Sequence, residues 1–154
     1  MAFPTLQLLD CTLRDGGYYT NWDFETGLVD RYVKAMEALP LDYIELGYRC
    51  KPLEGYYGEY FYMPKSRLEA LKAKCPNTGI ALMLDEKNNS AIDAQKLFGD
   101  LKGLCDMVRI TVAPGKTTSA LKLAATVKEM GYKVALNFMY LSQLKIDASF
   151  FIYP

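Results

Sequence analysis

Short apolar runs alternate with stretches of helical period along the whole chain. The runs cover residues 6–13, 43–49, 79–85, 107–113 and 133–141. Runs of this length, rich in Ile, Val, Leu and Tyr, predict β-strands. Because a helical stretch follows each of the first four runs, the pattern predicts parallel strands that are joined by right-handed helical crossovers.

Four segments between the strands repeat their apolar residues at intervals of three and four, which is the period of a helix packed on one side. They cover residues 28–36, 68–76, 92–101 and 119–131. Pro40 ends the first, because proline cannot continue a helix. Ser90 is placed to cap the start of the third, and Gly103 and Gly131 follow the ends of the last two.

The positions of polar residues in the predicted strands distinguish between two possible folds. A five-stranded doubly wound parallel sheet suits a chain of 154 residues, but its strands are covered on both faces and apolar throughout. Here polar residues occupy alternate positions of the runs: Asp10, Thr12, Arg14, Glu45, Arg49, Asp85, Arg109, Thr111 and Asn137. A barrel with its active site at the C-terminal ends of the strands requires one such polar face. We therefore predict that residues 1–154 are the N-terminal portion of a single TIM (β/α)8 barrel, with five strands and four helices, and keep the doubly wound sheet as the alternative.

The amino-acid composition argues against several classes of protein. The 18 basic and 18 acidic residues cancel, so no charged surface for nucleic acid or an anionic membrane is expected. No apolar run approaches the length of a membrane span, and the N-terminus lacks a basic leader. The 4 cysteines form no C-x-x-C pair, which predicts no disulfide and a cytoplasmic protein. Histidine is absent, so imidazole takes no part in the chemistry of this chain.

The stretch DCTLRDGG, residues 10–17, concentrates charge and glycine at the end of the first predicted strand. One interpretation is an ion pair between Arg14 and Asp10, with a tight turn at the two glycines. The other makes Asp15 an oxygen ligand of a hard divalent cation and Arg14 a donor to an oxyanion beside it. The residues alone leave both interpretations open.

This stretch resembles the signature of the metal-dependent barrel lyases called the DRE-TIM metallolyases. They include 3-hydroxy-3-methylglutaryl-CoA lyase, 4-hydroxy-2-oxovalerate aldolase, isopropylmalate and homocitrate synthases, and the transcarboxylase domain of pyruvate carboxylase. The segment YIELGYR, residues 43–49, resembles the second-strand pattern of the same family. The longer segment DCTLRDGGYYTNWDF, residues 10–24, is similar to a bacterial aldolase-type branch of the family whose members are longer than this chain.

The resemblance implies an enzyme that uses Mn²⁺ or Mg²⁺ to form or consume the enolate of a 2-oxo acid such as pyruvate. Asp15 matches the metal ligand of the family, and Arg14 matches the arginine that stabilises the enolate oxygen. Glu45 matches a glutamate near the site, although a role as the buried partner of Arg49 or Arg109 explains it equally well. The chain departs from the family in lacking its His-x-His ligand pair, and Tyr18 or Tyr19 stands where the aldolases carry a histidine base.

Weaker candidates project from the later strands. Arg109 is a candidate for binding a substrate carboxylate through two hydrogen bonds. The alternative role for Arg109 is a buried ion pair. Asn137 is a candidate for substrate contact, as are Thr111 and Ser142, although ordinary polarity of the barrel interior explains all of them equally well. The tyrosine-rich stretch of residues 50–65 is expected either to cover a site or to pack over the end of the barrel.

The expected function is that of a metal-dependent C–C bond lyase of the 4-hydroxy-2-oxovalerate aldolase type. A condensing acyltransferase that uses an acyl-CoA is a second possibility, and a non-catalytic half-barrel that forms homo-oligomers is a third. The expected partner is a small 2-oxo acid, and binding to nucleic acid or to a membrane is not expected. Since the family's histidine ligands are missing, we expect these residues to be part of a longer barrel and to bind metal weakly by themselves.

Overall fold

The computed structural model of the protein describes residues 6–143 and contains a single parallel sheet of five strands. The strands are β1 (Leu9–Asp10), β2 (Tyr43–Tyr48), β3 (Gly79–Asp85), β4 (Met107–Val112) and β5 (Lys133–Phe138). They follow one another in the order β1-β2-β3-β4-β5, and each pairs in parallel with the next. A doubly wound sheet reverses its strand order at a switch point. This sheet does not reverse and instead curls into a half-barrel, so the barrel prediction is confirmed.

Helices lie between the strands. They are α1 (Thr12–Thr20), α2 (Thr26–Glu37), α3 (Glu59–Tyr62), α4 (Lys65–Lys72), α5 (Ala91–Phe98) and α6 (Thr117–Glu129). α2, α4, α5 and α6 are the four predicted crossover helices, whereas α1 and α3 were not expected. Ser90 caps α5 as predicted, in a reciprocal capping box with Asp93, but α5 ends at Phe98, before the expected end at residue 101. Within residues 6–143, no helix is long and apolar enough to cross a membrane.

The hydrophobic core lies between the outer face of the sheet and the helices. Ile44, Leu82 and Ile110 are fully buried on the outer face of their strands. They pack with apolar side chains of the helices, including Val33 of α2 and Phe98 of α5. The alternation of apolar and polar residues along each strand therefore sends the polar side chains to the inner face, where a barrel builds its site.

The first strand is shorter than the sequence predicts. β1 ends at Asp10, and the motif of residues 12–17 forms the start of α1. The tight turn expected at Gly16 and Gly17 is wrong, because both glycines lie inside this helix. Gly17 instead makes room for an indole, since a Cβ atom there would lie 2.1 Å from the ring of Trp22.

An irregularity in β2 reverses the expected directions of two side chains. Glu45 pairs with Ala81 whereas Tyr48 pairs with Met83, so β2 has one residue more than β3 between these pairs. Such a β-bulge inverts the alternation of side chains beyond it. Tyr48 therefore shares the inner face with Glu45, and Arg49 points outward, the opposite of the sequence prediction. The guanidinium of Arg49 donates to backbone carbonyls, at 2.9 Å to Leu97 O and 2.6 Å to Met63 O.

Candidate functional site

The C-terminal ends of the strands surround an open cleft of about 720 Å³. This is the end at which a (β/α)8 barrel carries its active site. α1 contributes Arg14 and Tyr18 to the lining, and the strands contribute Tyr48, Asp85, Thr111 and Asn137. The cleft thus brings together four of the residues that the sequence singled out as site candidates, Arg14, Tyr18, Thr111 and Asn137.

Arg14 is buried at the base of the cleft, with 8% of its surface exposed. Its Nε donates to Glu45 Oε1 at 2.6 Å, and its Nη1 lies 2.5 Å from Asp15 Oδ1. Burial alone would lower the pKa of Arg14, but the hydrogen bond and charge of Glu45, together with the charge of Asp15, raise that pKa above its ordinary value. Arg14 is therefore a fixed cation. Its Nη2 forms no hydrogen bond with any residue in the 6–143 range, which leaves this donor for a ligand.

Glu45 links two arginines on the inner face of the sheet. Its side chain is fully buried, and its second oxygen accepts from Arg109 Nη1 at 2.9 Å. Arg109 Nη2 donates in turn to Asn137 Oδ1 at 3.2 Å. The sequence offered Arg49 or Arg109 as the partner of Glu45; the structure selects Arg109 and adds Arg14. A buried carboxylate that bridges two guanidinium groups is well compensated, and it holds both in a fixed orientation.

Asp15 lies beside Arg14, and its side chain is 54% exposed. Its Oδ2 accepts from the thiol of Cys11 at 3.2 Å, and burial together with this bond raises the pKa of Cys11. The interpretation that pairs Arg14 with Asp10 is wrong, because Arg14 binds Glu45 and Asp15 whereas Asp10 accepts from the hydroxyl of Tyr32 at 2.5 Å. Within residues 6–143, no group of three or more His, Cys, Asp or Glu side chains is placed to hold a metal ion. The described residues therefore do not fit a complete Mn²⁺ or Mg²⁺ site, to which Asp15 would bring a single carboxylate.

Two tyrosine hydroxyls meet next to Arg14. The hydroxyls of Tyr18 and Tyr48 are 2.8 Å apart, and Tyr18 is 60% exposed. Burial and the hydrogen bond to Tyr18 raise the pKa of Tyr48 well above its ordinary value, so this phenol stays protonated. The two hydroxyls carry two hydrogens and need only one for their mutual bond. The other is available to a ligand in the cleft.

Sequence reasoning missed Tyr48 because the bulge reverses its direction. Gly47 was the available signal, since a glycine inside an apolar strand often marks a bulge or a close backbone approach. A Cβ atom at Gly47 would lie only 2.0 Å from the carbonyl oxygen of Tyr60 in α3. The bulge and the glycine together thus let α3 pack directly on β2 beside the cleft.

Aromatic rings form one wall of the cleft. The rings of Tyr57 and Phe61 stack with their centroids 4.3 Å apart, and Trp22 lies 5.0 Å from Phe61 and 4.7 Å from Tyr18. Trp22 is fixed further by its Nε1, which donates to the carbonyl oxygen of Arg14 at 3.0 Å. The tyrosine-rich stretch of residues 50–65 therefore both packs over the end of the half-barrel and lines the cleft.

A layer of polar side chains forms the opposite wall. Asp85, Thr111 and Asn137 are aligned in register on β3, β4 and β5. Thr111 Oγ1 donates to Asp85 Oδ1 at 2.8 Å, and Asn88 Nδ2 donates to Asp85 Oδ2. The sequence placed Asp85 on the polar face but did not identify it as a site residue. Ser142, a weak sequence candidate, is exposed and is not among the lining residues.

Comparisons with known proteins support this fold. No known family profile and no curated protein sequence matches the chain. The solved N-terminal domain of a putative aldolase from Bacteroides vulgatus is similar to 90% of the chain, with 48% sequence identity and a TM-score of 0.86. The match spans 46% of that structure, so the chain corresponds to less than half of its length.

A more distantly similar solved structure has the same fold. The carboxyl transferase domain of Rhizobium etli pyruvate carboxylase, solved with pyruvate and biocytin, matches 95% of the chain with a TM-score of 0.64. The identity is 16% and the match spans 27% of that domain, so this likeness shows the fold alone. Both solved structures thus share the half-barrel architecture, and the 48% identity to a putative aldolase supports an enzyme as the parent of this chain.

Proposed function

We propose that this chain forms part of a metal-dependent C–C bond lyase of the aldolase type, which makes or consumes the enolate of a 2-oxo acid such as pyruvate. The observation that carries the proposal is the state of Arg14. It is a buried cation, held by Glu45 at 2.6 Å, with an unused donor on a residue that lines the cleft. Donors fixed in advance and aimed at a developing oxyanion are among the largest contributors to enzyme catalysis.

The proposal assigns a different role to each residue in or next to the cleft. Arg14 donates to the enolate oxygen and stabilises its negative charge. Tyr18 acts with Tyr48 as a hydrogen-bond donor to the reacting oxygen, because the raised pKa of Tyr48 keeps its phenol protonated. Glu45 and Arg109 orient the guanidinium of Arg14 and the amide of Asn137, and Asn137 contacts the substrate.

The proposal includes a divalent cation, Mn²⁺ or Mg²⁺. Asp15 would supply one oxygen ligand, and the remaining ligands would come from outside residues 6–143. Such a cation would act as a Lewis acid on the 2-oxo acid. The proposed partner is a small molecule, and the homo-oligomer expected from the open strand edges stays a prediction, to be checked by sedimentation.

Proton exchange tests the proposal without knowledge of the second substrate. The full-length gene product is incubated with pyruvate and Mn²⁺ in D₂O, and the methyl protons of pyruvate are followed by NMR. An enzyme that forms the enolate replaces these protons with deuterium, and we expect EDTA to stop the exchange. A folded protein that exchanges neither pyruvate nor 2-oxobutyrate would contradict the proposal. Release of free CoA from acetyl-CoA would indicate the condensing acyltransferase, and inactivity in both assays would indicate the non-catalytic half-barrel.

A further inference from the structure

The cleft extends well beyond Arg14. It runs from Arg14 across the ends of β3, β4 and β5. Pyruvate, with six heavy atoms, would occupy only the region near Arg14. The remaining space lies between the aromatic wall and the polar layer, and the chemistry of these two walls indicates what occupies it.

The aromatic wall offers flat apolar surface. Tyr57 is partly exposed, and Phe61 and Trp22, each less than 10% exposed, pack against it. Trp22 and Tyr57 contact each other at a centroid distance of 6.3 Å. Fixed rings of this kind bind the C–H face of a ligand with little loss of conformational entropy, because the rings are already immobilised by their neighbours.

The polar layer offers both acceptors and donors. Asn137 Oδ1 accepts from Arg109 Nη2, and the two hydrogens of Nδ2 are left to donate to a ligand. Asp85 accepts from Thr111, Asn88 and the backbone N–H of Lys87, yet a carboxylate has about four lone-pair positions and keeps capacity for one more donor. A ligand that satisfies this layer must accept at Asn137 and donate at Asp85. Hydroxyl groups do both.

The layer is also wide. Asp85, Thr111 and Asn137 stand on three neighbouring strands, and strands lie about 4.8 Å apart. The backbones at Asp85 and Asn137 are therefore about 10 Å apart, which is two strand spacings. A carbon chain that carries several hydroxyls can bind along this width.

We propose that the second substrate is a polyhydroxylated, sugar-like aldehyde, whose C–H face packs on the aromatic wall at Tyr57 and whose hydroxyls bind Asp85 and Asn137. This inference rests on the proposed function and specifies its acceptor. In the condensing direction, C3 of pyruvate loses a proton and forms a bond to the aldehyde carbon. The carbonyl π electrons move to the aldehyde oxygen, which takes up one proton to become a hydroxyl, so no further co-reactant is needed.

Matched aldehydes test the proposal. The rate of pyruvate consumption by the full-length gene product is measured with D-erythrose and with butanal, which have equal carbon number, and with D-glyceraldehyde and propanal. Sites built to bind a hydroxyl discriminate strongly against analogues that lack it, so we expect kcat/KM to favour each hydroxylated aldehyde by roughly 100-fold or more. In Asp85→Asn, which replaces an acceptor by a donor, this ratio should fall by at least roughly tenfold. Asp23→Asn, a substitution at an exposed aspartate outside the cleft, should keep the wild-type ratio.

The outcomes separate this inference from the proposed function. A preference for the alkyl aldehydes, or an unchanged ratio in Asp85→Asn, would overturn the inference. Failure of all four aldehydes to react, in a protein that still exchanges the protons of pyruvate, would overturn it as well and leave the proposed function standing. A wild-type protein that exchanges no pyruvate protons would overturn both.

Discussion

The two ends of the half-barrel use polar side chains in different ways. At the N-terminal ends of the strands, carboxylates bind backbone amides: Asp42 accepts from Leu8 N at 2.7 Å, and Asp106 accepts from Ile80 N at 2.8 Å. On the inner face and at the C-terminal ends, side chains bind one another, as Arg14 does Glu45 and Thr111 does Asp85. There, hydrogen-bonding capacity is left over for the cleft.

This difference indicates what each end contributes. A carboxylate that is bonded to the backbone of a neighbouring element ties the two elements together and stabilises the fold. A network of side chains that keeps an unused donor, as at Arg14, is arranged for a ligand. In (β/α)8 barrels the C-terminal end of the strands carries activity and the N-terminal end carries stability. The following predictions test whether this chain divides the two roles in the same way.

Removing the charge of Glu45 is expected to have the largest effect. Glu45→Gln would leave the Arg109 guanidinium without a counter-charge and Arg14 with only the more exposed Asp15, and breaking a buried ion pair costs about 3–5 kcal/mol. Urea unfolding should show a fall of this size in the free energy of unfolding. Glu59→Gln is the matched control, because it breaks the more exposed pair with Arg67, and it should cost less than about 1 kcal/mol. Equal losses in the two variants would show that the network does not hold this end together.

Two adjacent glycines of α1 should respond in opposite directions. Gly17→Ala would drive a Cβ atom into the ring of Trp22, and overpacking of this kind costs about 1–3 kcal/mol. Gly16→Ala meets only the Phe24 ring at 3.8 Å, so its higher helix propensity should stabilise the protein by up to about 1 kcal/mol. Thermal unfolding of the two variants checks the prediction. A gain in stability from Gly17→Ala would contradict the described packing of Trp22.

The N-terminal end should show a smaller effect that depends on pH and leaves activity unchanged. The hydrogen bond from the Thr78 hydroxyl is the main cause of the lowered pKa of Glu37, with further bonds from Asn77. Its contribution to stability is therefore complete above the ordinary pKa of 4.5 and is lost as the pH falls through the lowered value. Glu37→Gln should lower the melting temperature near neutral pH, and the difference from wild type should shrink in acid. A difference in melting temperature that grows in acid would contradict the lowered pKa of Glu37.

Much of the fold follows from periodicity in the sequence. Alternation of apolar and polar residues placed Glu45, Arg109 and Asn137 on one face, and the structure joins them in one network. The same alternation separated the barrel from the doubly wound sheet. These features could be predicted because each strand has a period of two, and a buried outer face fixes which residues point inward.

The candidate site was harder to predict where tertiary packing overrides the local pattern. A one-residue bulge at Gly47 exchanges the directions of Tyr48 and Arg49, and strict alternation cannot reveal it. The glycines of α1 indicated a turn, yet the packing of Trp22 against Gly17 accommodates them within a helix. Asp85 contributes to the cleft because it is aligned with side chains of two other strands. The sequence of a single strand does not determine its register with its neighbours, so this alignment could not be predicted.

The central claim is that Arg14 stabilises the enolate of a 2-oxo acid, and proton exchange in Arg14→Lys tests it most directly. Lysine keeps the charge but loses the planar fork that lets one guanidinium bind Glu45 and a ligand together. With pyruvate and Mn²⁺ in D₂O, we predict that this variant exchanges methyl protons about 10²–10³-fold more slowly than wild type. Arg67→Lys, at a surface pair outside the cleft, should exchange at the wild-type rate. A folded Arg14→Lys protein that exchanges as fast as wild type would contradict the account.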